Sequence, residues 1–60
     1  MFRVYAINNK NMFVETDDLD FAIDMAVEHF KKSGIVMIVA ERKGDRWYKR
    51  AIVDKEYKKN

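Results

Sequence analysis

Ile35-Val36-Met37-Ile38-Val39-Ala40 is apolar at every position. Side chains alternate between two faces along a strand, so a strand with this sequence is expected to be buried on both faces, which is unusual in a sheet that is half solvated. Gly34 stands immediately before the run, and the residues ahead of it have a different period. Leu19, Ala22, Ile23, Ala26, Val27 and Phe30 recur at helical spacing and form one apolar stripe, which predicts a helix from about Asp17 to Ser33. Thr16 or Asp17 can accept from the free N–H groups at its start. The aspartates that follow suit the positive end of the helix dipole, and Lys31 and Lys32 suit the negative end. Gly34 is then the residue that can take positive φ at the helix C-terminus.

Outward from the run, Ile35 to Arg42 and Arg46 to Asp54 read as a hairpin turning at Lys43-Gly44-Asp45, with Gly44 in the left-handed position. Ahead of the helix, Phe2 to Ile7 and Met12 to Thr16 read as a second hairpin around Asn8-Asn9-Lys10-Asn11. The order is β-β-α-β-β. It predicts an α+β two-layer sandwich, a four-stranded and mainly antiparallel sheet with one helix packed on one face and the other face open.

Alternation sorts residues between the two faces. If the first loop has four residues, Ile7 pairs with Met12. Phe2, Val4, Ala6 and Phe13 then fall on the helix side, and Arg3, Tyr5, Ile7, Met12 and Val14 on the open side. With Val36, Ile38 and Ala40 against the helix, Ile35, Met37 and Val39 project outward. The last strand reads two ways. A two-residue turn sends Trp47, Lys49, Ala51 and Val53 to the helix side, whereas one more turn residue sends Tyr48, Arg50 and Ile52 there. The small Ala51 and Val53 favour the first.

A chain of 60 residues is expected to form a single domain over residues 1–60, with residues 57–60 as a loose tail, because Lys58-Lys59-Asn60 has no apolar anchor. It has 12 Lys and Arg against 10 Asp and Glu, a net charge of +2, with an acidic middle and a basic end. No stretch has the length of a membrane span or the pattern of a secretory leader, and cysteine is absent. The expectation is a cytoplasmic protein without disulfides, thiol chemistry or cysteine-bound zinc.

Catalytic and cofactor chemistry find little support. Asp17, Asp18, Asp20 and Asp24 lack the glycine and closing glutamate of a calcium loop and suit a helix start. His29 is the only histidine, so a zinc site of nitrogen and sulfur ligands cannot be assembled. The two glycines already have places at a helix end and a hairpin turn, which leaves none for a phosphate loop. No catalytic, cofactor or metal site is expected, and the chain is expected not to be an enzyme.

Binding remains. An open face composed of Tyr5, Ile7, Met12, Val14, Ile35, Met37, Val39, Tyr48 and Arg50 would have the aromatic, methionine and arginine character of protein interfaces. Its partner is expected to be a second copy, giving a homodimer, or an unidentified host protein. The alternative is nucleic acid held by Arg42, Lys43, Arg46, Trp47, Lys49 and Arg50, where cations and aromatics interleave. Phe21 lies on the polar side of the helix and, with Met25 one turn on, forms a candidate second contact.

Overall fold

A computed structural model describes residues 1–57 of the chain. It contains β1 (Phe2–Ala6), β2 (Asn9–Thr16), α1 (Leu19–Ser33), β3 (Met37–Lys43) and β4 (Arg46–Val53). The strands form one antiparallel sheet in the order β2-β1-β3-β4, with α1 over one face. The expected α+β sandwich is what forms. Lys58, Lys59 and Asn60 of the expected tail lie outside the described residues, and Tyr57 packs on the helix-side core.

The helix ends follow from local chemistry. Asp18 caps the N-terminus, its Oδ1 accepting from the Phe21 N–H at 3.2 Å, while Thr16 Oγ1 accepts from the Asp18 N–H. The cap is therefore Asp18, not Thr16 or Asp17. Gly34 takes φ 72° and donates its N–H to the Phe30 carbonyl at 2.8 Å, which closes the C-terminus as expected. Gly44, at φ 65°, opens the two-residue turn Gly44-Asp45.

Register decides which residues α1 covers. Tyr5 pairs with Phe13 and Arg3 with Glu15, one residue away from the expected register, so every side chain in this part of β2 changes face. Phe13 goes to the open side, and Met12 and Val14 go to the helix side. The turn explains the slip. Ile7 and Asn8 turn without positive φ, a geometry that matches strand twist poorly, and the ladder breaks next to it. Ala6 pairs with Asn9, which leaves Lys10, Asn11 and Met12 with no opposite residue on β1.

The central strand is also reversed. Val4 pairs with Val39 and Ala6 with Met37, so Met37 and Val39 join Val4, Ala22, Ala26 and Val53 in the buried core under α1. Ile38 and Ala40 face the open side instead. Both parities of the run are apolar, and only pairing with β1 chooses between them. In β4 the two readings each hold for half of the strand. Ala51 and Val53 face the helix, but a bulge opposite Val39-Ala40 resets the alternation, so Tyr48 pairs with Glu41 and Trp47 with Arg42. Trp47 and Lys49 therefore lie on the open side and Tyr48 on the helix side.

Candidate functional site

The molecule measures 31 × 27 × 15 Å, a thickness that holds a sheet and one helix and no third layer. On the uncovered face, β3 contributes Ile38 and Ala40, which are 2% and 4% exposed although no element lies over them. Neighbouring side chains close over them. Arg3 pairs with Ala40, and its guanidinium Cζ lies 3.9 Å from the Phe13 ring centroid and 4.4 Å from that of Trp47. Phe13 comes from β2 and Trp47 from β4, at opposite edges of the sheet. The small side chain of Ala40 lets Arg3 reach across, and the three stacked groups roof the centre of the face.

Glu15 fixes the guanidinium. Its Oε2 accepts from Arg3 Nη2 at 2.9 Å and from Nε at 3.2 Å. The carboxylate accepts along one edge of the planar cation while its Cζ lies over both aromatic rings, a combination that lysine could not reproduce. The rings still present outer surface, with Phe13 at 43% and Trp47 at 38% exposed, and Ile52 at 48% beside Ile38 extends the apolar area. Tyr5, half-buried, completes it between Phe13 and Ile38.

Of the expected interface residues, Tyr5 lies on this face, and Ile7 follows one ladder step on, where its N–H donates to the Val36 carbonyl. The others are elsewhere. Met37 and Val39 are core residues. Met12 and Val14, with Met25 and His29, line a groove of about 180 Å³ between α1 and β2. Ile35 lines a neighbouring open hollow with Asn8 and Ser33. Tyr48 is on the helix side, and Arg50, at the bulge, reaches Glu41 at 3.3 Å. Phe21 is exposed as expected, but Met25 turns into the groove and does not join it.

The basic hairpin is divided as well. Arg42, Trp47 and Lys49 share the face of Arg3, whereas Lys43 and Arg46 pair on the opposite side by alternation. Arg42 Nε donates to the Gly44 carbonyl at 2.9 Å, which ties down the turn. Lys43, Arg46 and Lys49 have no ion-pair partner among the described residues. Sequence reasoning missed Phe13 and Glu15. Their signal was available, since the register that sets Arg3 opposite Glu15 puts unlike charges directly across from each other.

Among the described residues no three His, Asp or Glu side chains gather to hold a metal ion, and no helix is long and apolar enough to cross a membrane. Comparison with family models, curated proteins and solved structures finds no match for this chain.

Proposed function

We propose that the chain is a non-catalytic, regulatory binding module that engages another protein through its uncovered sheet face. The supporting observation is the roof over Ile38 and Ala40, where Phe13, Arg3 and Trp47 are stacked, braced by Glu15 and flanked by Ile52 and Tyr5. Tryptophan, tyrosine and arginine dominate interface energetics, and side chains already held in place lose little entropy when a partner arrives. The surface is apolar at its centre and basic at its Arg42 and Lys49 rim, the usual arrangement of a protein interface.

The test is affinity capture followed by substitution on this face. Ile52→Asp is expected to abolish retention of the captured protein while leaving the far-UV circular dichroism unchanged, and Phe21→Ser is expected to have no effect. Retention that survives Ile52→Asp and Trp47→Ala together would show that the face is not the binding surface. A second reading has its own observation, namely that Trp47, Arg42, Lys49 and Arg3 lie on one face, so a single strand could stack on Trp47 with its phosphates on the cations. Fluorescence anisotropy with a labelled single-stranded oligonucleotide at low salt checks it, and a flat titration excludes it.

A further inference from the structure

The chain has four methionines, and all but Met1 line one groove. Met12 of β2, Met25 of α1 and Met37 of β3 border the space of about 180 Å³ between α1 and β2, together with His29, the only histidine. Met12, His29 and Met37 also border the open hollow of about 440 Å³ beside it, so they stand at the junction of the two spaces. The sulfur donors of three different elements and the one imidazole are thereby brought to a single place.

Each donor has its own reason to be there. Met25 and His29 are one helical turn apart, the i, i+4 spacing by which two side chains of a helix hold one ion. The His29 carbonyl accepts from Ser33 Oγ, but its ring makes no hydrogen bond or ion pair among the described residues. Met37, opposite Ala6 in the ladder, is 6% exposed and forms the inner end of the set. Met12 is 73% exposed and lies where β2 has no opposite residue on β1, so its thioether is presented to the groove mouth and not packed. Core packing accounts for Met37 and leaves Met12 without a role.

The donor set decides which ion it suits. Three thioethers and an imidazole supply no negative charge, and among the described residues no carboxylate lines either space. Calcium and magnesium need oxygen ligands, and zinc sites draw on thiolates, carboxylates or several imidazoles. A divalent ion would also keep its whole charge beside Val4 and Val14, which is costly in an apolar groove. Thioether sulfur instead selects copper(I), a soft ion with a single charge. We infer that the groove is a copper(I)-binding site, in which the thioethers of Met12, Met25 and Met37 and a ring nitrogen of His29 are the ligands. The rotatable bonds of the methionine side chains let the sulfurs turn onto one ion with the backbone in place. The site lies between the helix and the sheet, and owes nothing to the Phe13–Arg3–Trp47 roof.

Methyl NMR of the full chain, titrated with silver(I) as the redox-inert analogue, tests this directly. The first equivalent is expected to shift the Met12, Met25 and Met37 methyl groups and the His29 ring protons together, with Met1 unmoved as a control within the same molecule. Copper(I) affinity is then measured without oxygen, in competition with a chromophoric chelator. Met12→Leu and Met25→Leu keep the volume and apolar character of each site, and His29→Gln acts at an exposed position, so all three chains are expected to fold. Each is expected to lose at least the ~10-fold in affinity that even an outer partner contributes at a metal site. Ile52→Asp is expected to bind copper(I) like the parent chain, which separates this groove from the face proposed above. Methyl groups that do not move overturn the inference, and so does a Met1 that moves in step with the other three, which would mean thioether binding indifferent to the groove. Substituted chains that bind as tightly as the parent overturn it as well, as does zinc(II) moving the same methyl groups at equal concentration.

Discussion

The guanidinium of Arg3 lies over two aromatic rings and has carboxylate oxygen along its edge. Each ring contact at such a half-exposed site contributes about 0.5–1 kcal/mol, and the ion pair with Glu15 less, because both partners are partly in water. Arg3→Ala is expected to lower unfolding free energy by about 1–2 kcal/mol in urea denaturation. Arg3→Lys keeps the charge but not the plane, and is expected to recover only a minor part of that loss. The chain has one tryptophan, so its fluorescence reports Trp47 alone. Removing the guanidinium exposes that indole to water, and Arg3→Ala is expected to shift its emission to the red. An unshifted spectrum would mean that Arg3 does not cover Trp47 in solution. Asp18 gives a second prediction at this scale. Its cap on the Phe21 N–H is expected to make Asp18→Ala cost about 1 kcal/mol, against little for Asp17→Ala, which removes no helix cap.

At the scale of the element, legibility in the sequence depended on how many constraints each residue pattern carried. The stripe from Leu19 to Phe30 placed α1 to within two residues, because helical spacing, dipole charges and Gly34 all pointed to the same answer. The strands were as readable in existence and far less so in facing. A two-fold period is undone by one residue, so the slip at Ile7-Asn8 sent Phe13 outward and Met12 and Val14 inward. The run from Ile35 to Ala40 carried no facing information at all, since both of its parities are apolar. The bulge in β4 was illegible for another reason: nothing in Lys49-Arg50 distinguishes a bulge from a continuous strand, yet it turns Trp47 to the open side. That dependence makes a prediction. Deleting Arg50 removes the extra residue while Lys49, Tyr48 and Trp47 keep their partners Ala40, Glu41 and Arg42, so Trp47 is expected to stay on the open side in its contact with Arg3. The expected outcome is an unshifted Trp47 emission, and a red shift would show that the bulge itself holds the indole in place. Gly44→Ala acts on the same hairpin through its turn. The new Cβ meets no atom within 4 Å, so the expected cost of about 1–2 kcal/mol comes from the positive φ alone.

For the whole molecule, the deciding quantities are its thinness and its small net charge. A slab 15 Å thick buries one face of its sheet and leaves the other to its own side chains, so the Phe13–Arg3–Trp47 roof stands where a second layer would lie in a larger domain. A net charge of +2 gives no strong field, and the cations Lys43, Arg46 and Lys49 are spread over two sides of the β3–β4 hairpin instead of forming one track. Association with a protein partner at this face should therefore be governed by apolar burial. Raising salt from ~50 to ~500 mM is expected to change its affinity by no more than about threefold, because neither apolar contact nor ring stacking releases condensed counterions. The heat capacity change on binding, followed by isothermal titration calorimetry at several temperatures, is expected to be negative, as burial of Ile52, Phe13 and Trp47 requires. A nucleic acid held through three or four phosphates would behave differently, losing about two orders of magnitude or more over the same salt range. A steep logarithmic slope at this face would assign it to phosphate binding, and a flat one with negative heat capacity to a protein.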